Sequence, residues 1–162
     1  MSTPAIFFDR DGIVNRRLPD NYVKRIEEFE FLPDVSQAVR MVHDRGYLAI
    51  VVTNQRGIGR GLMTEEDLEG VHAWMQNYLR DNGGHRFDAI YHCPHDTVND
   101  CECRKPRPGM LHTAAADLGV DLNGSWIIGD SESDVEAGLA AGCRAVLVAP
   151  KGTRSKATHV ST

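Results

Sequence analysis

Three short apolar stretches of this chain each lead directly into a polar residue with chemistry to offer. Ala5–Asp9 (AIFFD) ends on an acid, Tyr47–Thr53 (YLAIVVT) ends on a hydroxyl, and Trp126–Gly129 (WIIG) is followed by Asp130. Continuous apolar runs of this length, without polar alternation, are what strands covered on both faces look like. Between them lie segments of helical period. Val35, Ala38, Val39 and Val42 recur at i, i+3, i+4 and i+7 and stop near Gly46. Thr64 with Asp67 can cap a long helix whose apolar face holds Leu68, Val71, Met75 and Leu79, closed by Gly83-Gly84. Phe87–His92 predicts a third strand and Pro108–Leu118 a helix. Asp134–Ala141 predicts a short helix closed by Gly142, and Ala145–Val148 a fifth strand. Strands alternating with helices predict an α/β fold: a mainly parallel five-stranded sheet with helices on both faces.

A chain of 162 residues is long enough for one domain with a real core and short for two. One domain over residues 1–162 is therefore expected. Its tail, Lys151–Thr162, should be loosely held, with at most a short edge strand at His159–Ser161. The formal charge of -5 and 7% aromatic content argue against a broad nucleic-acid-binding face with stacking platforms. No apolar run approaches a membrane span, and the N-terminal residues lack the charged-then-apolar pattern of a secretory signal. The expectation is a cytoplasmic monomer acting on a small ligand, with no nucleic-acid or membrane partner.

Functional groups of a parallel α/β sheet collect beyond the carboxyl ends of its strands, near a switch in strand order. Asp9, Thr53 and Asp130 occupy such ends although they are far apart in sequence. Each acid alone reads better as a solvated helix cap; the set at three strand ends points to function. Asp11, two residues after Asp9, directs its carboxylate roughly the same way, and Gly12 lets the backbone bend toward an anion. Crowded carboxylates repel and call for a cation. Oxygen-only donors suit magnesium, which keeps several waters and accepts few protein ligands.

A second constellation is Cys93-Pro94-His95, five residues, then Cys101-Glu102-Cys103. One imidazole and three thiolates make a complete tetrahedral donor set for zinc. Four protein ligands leave no open position, so the metal would be structural, clamping the loop just before Arg104 and Lys105. The alternative is free thiols. Cys143 reads as a small core residue, and His92 as a strand-end residue.

Asp9-Arg10-Asp11-Gly12, Thr53-Asn54-Gln55, Arg104-Lys105-Pro106 and Gly129-Asp130 with Asp134 resemble, in order, the four motifs of the haloacid-dehalogenase-like (HAD-type) phosphatases. That resemblance runs from about Ala5 to Val148 and implies a Rossmann-like HAD-type fold. It implies Asp9 as nucleophile, forming an aspartyl-phosphate. Asp11 would be the acid that protonates the leaving oxygen and then the base that activates water, and Thr53 and Lys105 would contact the phosphoryl oxygens. Magnesium would be held by the Asp9 carboxylate, the Asp11 carbonyl and the Asp130 carboxylate. Ile13 stands where many relatives have threonine.

The zinc loop ahead of the lysine motif is similar to that of bacterial heptose-bisphosphate phosphatases and histidinol phosphatases. Thr53–Gly61 (TNQRGIGRG) and Cys103–Met110 (CRKPRPGM) resemble the heptose-bisphosphate branch more. This implies removal of the 7-phosphate from D-glycero-D-manno-heptose 1,7-bisphosphate, with histidinol phosphate as the alternative substrate. A bisphosphate needs a second anion site, and guanidinium forks bind phosphate in a bidentate way that lysine cannot. Arg56, Arg60 and Arg104 are the candidates, Arg104 first, while Arg107 reads as a surface residue. Asn54 and Gln55 are further substrate-binding candidates, and Asn21-Tyr22 falls where relatives carry a substrate-contacting loop. Arg16-Arg17-Leu18 departs from the relatives there. With no large cap domain expected, the pocket should be open and built from loops. Outside this class, a receiver-type domain also joins acids, Thr and Lys on a parallel sheet, but it lacks the hydrolytic acid that Asp11 supplies. A zinc-stabilised binding module without catalysis would not need Asp9.

Overall fold

The computed structural model describes residues 2–162; Met1, which the domain expectation included, lies outside them. Six parallel strands are ordered β3-β2-β1-β4-β5-β6. They are β1 Ala5–Phe8, β2 Leu48–Asn54, β3 Ala89–Cys93, β4 Trp126–Gly129, β5 Arg144–Val148 and β6 His159–Ser161. Strand order runs outward from β1 in both directions, so the switch falls between β1 and β4. There Ile6 is in register with Trp126 and Phe8 with Ile128.

Alternate residues of each central strand feed two separate cores. Phe7, Ile50, Val52, Ile127 and Leu147 point to one face and pack with Met110, Leu111 and Val135. Those partners come from α4 (Gly109–Leu118) and α5 (Glu132–Ala140). Phe8, Ala49 and Val51 point to the other face, under α1 (Val35–Asp44) and α3 (Glu65–Gly83). Their partners there include Val39, Val71, Met75 and Leu79, the residues whose spacing predicted those helices. Two-faced burial of strands this short is what forces the uninterrupted apolar runs.

Helix starts follow local chemistry. Thr64 and Asp67 form a full capping box at the start of α3, with Asp67 N donating to Thr64 Oγ1 at 3.0 Å and Thr64 N to Asp67 Oδ2 at 2.8 Å. At α5 the cap is Ser131, paired with Asp134, which leaves Asp130 free of capping duty.

The sheet departs from the five-stranded expectation by its sixth strand, β6, which pairs in parallel with β5 through Val146–Val148. The tail is tied further where Ser155 Oγ donates to Glu132 Oε2 at 2.7 Å and Lys156 N to Glu132 Oε1 at 3.0 Å. Three residues of marginal apolarity are a weak strand signal by themselves. The paired edge of β5 supplies what the sequence pattern lacks. Among the described residues no helix is long and apolar enough to cross a membrane.

Candidate active site

Asp9 follows β1 directly and is buried, its carboxylate at the β1/β4 switch. Lys105, from the loop before α4, is also buried and reaches across to it. Lys105 Nζ donates to Asp9 Oδ1 at 2.8 Å, to Asp134 Oδ1 at 2.6 Å and to the Val52 carbonyl at 2.8 Å. One ammonium thus serves two carboxylates and can neutralise only one charge. Burial pushes the Asp9 carboxyl up, to about 7, with Asp134 adding to the rise and Lys105 opposing it. Burial works against the Lys105 charge too, but the two carboxylates outweigh it and raise its pKa, keeping the ammonium charged.

Asp130 closes the group: Asp9, Asp130 and Asp134 each bring a carboxylate oxygen within 4.8 Å of the others. Asp134 spends both oxygens inside the protein, one on Lys105 and one on Ser131 Oγ at 2.9 Å. Asp9 Oδ2 and Asp130 therefore remain for a cation, beside the Asp11 carbonyl. That hard-oxygen set fits magnesium. Gly12 is required here: its φ is +98°, and a β-carbon would overlap Asp130 Oδ2.

Asp11 lies at the rim of this cluster with its carboxylate held by four donor contacts. Oδ1 accepts from Arg10 Nη2 at 2.7 Å, Arg10 Nε at 3.3 Å and Asn15 Nδ2 at 2.9 Å, and Oδ2 from Gln55 Nε2 at 3.1 Å. Burial alone would raise this carboxyl. The Arg10 charge and the bonds from Asn15, Arg10 and Gln55 outweigh it and hold the pKa below the usual carboxylate value.

The second motif braces the reacting centre, and Asn54 also lines the cavity above it. Thr53 is buried and its Oγ1 accepts from Gln55 Nε2 at 2.8 Å, which leaves its own proton to donate. Gln55 is buried with its amide divided between Thr53 and Asp11, so it orients those two groups rather than facing substrate space. Asn54 grips the Lys105 backbone from both sides. Lys105 N donates to Asn54 Oδ1 at 3.0 Å, and Asn54 Nδ2 to the Lys105 carbonyl at 3.1 Å.

A cavity of about 750 Å³ opens over Asp9, Asp11 and Lys105, walled by Arg17–Val23 on one side and by Asn54, Arg56, Arg60 and Arg104 among others. Asn21 and Tyr22 are on its rim; Tyr22 packs on Gly57, where an added β-carbon would sit 3.0 Å from the ring. Arg56 is ion-paired with Asp96 of the cysteine loop. Arg107 is bonded to Asp100 at 2.8 Å and to the Cys101 carbonyl at 2.6 Å, outside the cavity. Of the three candidate arginines, Arg60 and Arg104 are left without an acidic partner at the rim.

Cys93, His95, Cys101 and Cys103 converge, all four donor atoms lying within 4.8 Å of one another. Cys93 Sγ is 3.7 Å from Cys101 Sγ and 3.4 Å from His95 Nδ1, and His95 Nδ1 is 3.2 Å from Cys103 Sγ. Bond lengths of about 2.3 Å to sulfur and 2.0 Å to nitrogen in a tetrahedron put neighbouring donors roughly 3.5–3.8 Å apart. Cys93 and Cys103 Sγ, 2.8 Å apart, lie closer than that, so it is the chemistry and convergence of the four donors, rather than their spacing, that suit zinc. All four cysteines are free thiols, and Cys143 is a core residue as expected.

Comparison with known proteins gives the family and the fold. A family described as HAD-hydrolase-like matches residues 102–161. D-glycero-beta-D-manno-heptose-1,7-bisphosphate 7-phosphatase of Yersinia pestis is 43% identical over 147 residues, covering 86% of this chain and 77% of that one. The protein of that name from Pseudomonas aeruginosa is 39% identical over 156 residues, covering 96% and 86%. The chain belongs to the HAD-like heptose-bisphosphate phosphatase family. A crystal structure of D,D-heptose 1,7-bisphosphate phosphatase from B. bronchiseptica, complexed with magnesium and phosphate, superposes with a TM-score of 0.87 at 36% identity. It covers 97% of this chain and 91% of that one.

For a member of this family, sequence reasoning overlooked three side chains near the site. Arg10 is completely buried, clasping Asp11 and facing His72 Nε2 at 3.1 Å through Nη1. Burial, and after it the Arg10 charge, push the His72 pKa down to about 3, so the ring stays neutral and accepts from Arg10. An arginine between two acids reads as surface charge, and a histidine on α3 as incidental. Only the α3 register, in which His72 follows the buried Val71, hinted that it faces inward. The third is Arg17, whose Nη2 is 2.8 Å from Asp130 Oδ1, 3.1 Å from the Asp11 carbonyl and 3.9 Å from Asp9 Oδ2.

Proposed function

We propose that this chain works as one HAD-type domain. It would hydrolyse D-glycero-β-D-manno-heptose 1,7-bisphosphate to the 1-phosphate through a phosphoaspartate on Asp9. The observation that carries the chemistry is a buried Asp9 carboxylate at the sheet's switch point, with one oxygen fixed by Lys105 and the other facing a cavity rimmed by arginines. The choice of sugar rests on the names of the relatives at about 40% identity.

In this reading Asp9 attacks phosphorus with its free oxygen, the P–O bond to the sugar breaks, and the leaving oxygen takes a proton from Asp11. Asp11 then removes a proton from the water that attacks the phosphoaspartate, freeing Asp9 and phosphate. The Arg10–Asn15–Gln55 clasp favours the Asp11 anion, the form that takes the proton from water in the second step. Lys105 and the Thr53 hydroxyl face the transferring oxygens, stabilising charge as it redistributes. Magnesium, held by Asp9, the Asp11 carbonyl and Asp130, would neutralise the acids and polarise the phosphoryl group. Zinc on Cys93, His95, Cys101 and Cys103 would hold the loop carrying Arg104. Arg60 and Arg104, with Asn21 and Tyr22 opposite, supply the second anion site and the rim of the sugar pocket. The substrate is small, and the chain is read as a cytoplasmic monomer.

The deciding experiment is phosphate release from the heptose bisphosphate, other sugar bisphosphates and histidinol phosphate, compared as kcat/KM. The heptose bisphosphate should lead by at least about 100-fold. Equal or better turnover of histidinol phosphate would replace this substrate assignment.

A further inference from the structure

The Arg17 guanidinium sits against the same three groups that the proposed function assigns to magnesium: Asp130 Oδ1 at 2.8 Å, the Asp11 carbonyl at 3.1 Å and Asp9 Oδ2 at 3.9 Å. This inference rests on that metal assignment. Like a metal ion, a guanidinium offers these oxygens a positive charge with several directions of contact; unlike a metal ion, it cannot pull them to bonding distance.

The other two cations of the site are fixed, and this one is not. Arg10 and Lys105 side chains are 0% and 3% exposed, whereas that of Arg17 is 56% exposed. Arg17 belongs to the loop that walls the cavity, and among the described residues its guanidinium contacts only the acid cluster and the Asp11 carbonyl. Withdrawing it leaves Asp9, Asp130 and Asp134 with Lys105 as the one counter-charge bonded to them among the described residues. A divalent ion entering in its place makes the charges balance, which the single charge of Arg17 does not.

We propose that Arg17 is a tethered competitor for the magnesium site: it holds the metal-facing oxygens in the metal-free protein and is displaced when Mg2+ binds. Metal affinity is then lowered by the free energy of the Arg17 contacts, and the acid cluster never stands open with its charges bare.

The test is calorimetric titration of Mg2+ alone into the purified, zinc-replete full chain, with no substrate present. Arg17→Gln removes the charge and keeps a polar side chain; Arg17→Lys keeps the charge; Asp130→Asn removes a ligand. Arg17→Gln should bind Mg2+ about 5-fold or more tighter than the wild type. Arg17→Lys should fall between the two, and Asp130→Asn should lose most of the affinity. Equal Mg2+ affinity in the wild type and Arg17→Gln, with Asp130→Asn impaired, would overturn the competitor role and leave the metal site standing. Absence of binding in wild type, Arg17→Gln and Asp130→Asn alike would remove the metal assignment, and the competitor role with it.

Discussion

The acid cluster at the switch point and the cysteine loop beside it both gather groups that repel or idle when bare, but they are ordered by different means. Asp9, Asp130 and Asp134 are carried on the ends of β1 and β4 and the start of α5, and Lys105 and Arg17 supply positive charge from within the chain. The scaffold fixes that arrangement before any ion arrives. Cys93 terminates β3, but His95, Cys101 and Cys103 lie in irregular chain, and what brings them together is their mutual convergence. On the proposed reading the fold builds one site ahead of its metal, whereas in the other zinc would order the loop. Removing a group should therefore cost activity in the first and order in the second.

The sharpest break between them is Asp9→Asn. Phosphatase activity should fall on the order of 10⁴-fold or more. Thermal unfolding of the metal-free protein should stay level or rise, because a buried carboxylate in excess of its counter-charges has been neutralised. A variant that unfolded readily would mean that the fold depends on the pair Asp9–Lys105 rather than merely accommodating it.

Stripping zinc with a chelator under reducing conditions should act the opposite way. The loop from Cys93 to Cys103 loses its cross-link, and by analogy with other loop closures stability should drop about 2–4 kcal/mol in urea unfolding. Limited proteolysis should then cut between Pro94 and Cys101. KM should rise through the loosened Arg104, while kcat at saturating substrate holds within about 3-fold. A collapse of kcat with KM unchanged would show that the metal loop positions Lys105 after all.

The smallest effect sharpens the account of how the first site is supported. His72 is neutral in the folded protein, its pKa lowered from 6.5 to about 3, so the unfolded chain binds more protons between those values. Stability from this group is complete above pH 6.5 and is lost as pH falls toward 3, about 1.5 kcal/mol of it between pH 6.5 and 5. His72→Gln keeps an acceptor for Arg10 and removes the titration. The difference between wild type and variant in urea midpoints, measured across this range, should show that slope; parallel profiles would place the acid sensitivity elsewhere.

Much of this arrangement was legible before any coordinates. The apolar runs located β1, β2, β4 and β5 within a residue or so, the i, i+3, i+4 spacing located α1 and α3, and the switch-point rule brought Asp9 and Asp130 together. What escaped depends on three-dimensional company. A one-turn helix, α2 (Arg56–Gly59), follows β2 unannounced, because four residues are too few to show a period. The edge strand β6 exists through its neighbour. Arg10, Arg17 and His72 are polar residues whose role depends on what they face. Asn54 and Gln55, read as substrate-binding candidates, have a second duty the sequence did not show: their amides hold Lys105, Thr53 and Asp11, while Asn54 also lines the cavity.

That last arrangement has a consequence for how such a chain can vary. Asn54 anchors the Lys105 backbone directly to the end of β2, while Gly59 presses bare against Pro94 and Asp96, leaving room for no side chain between them. One end of the cysteine loop is thereby bonded to the sheet and the other packs on the Arg56–Gly59 helix, independently of how many residues lie between His95 and Cys101. That span can lengthen, shorten or change composition as the preferred sugar changes, and the reacting ammonium keeps its address.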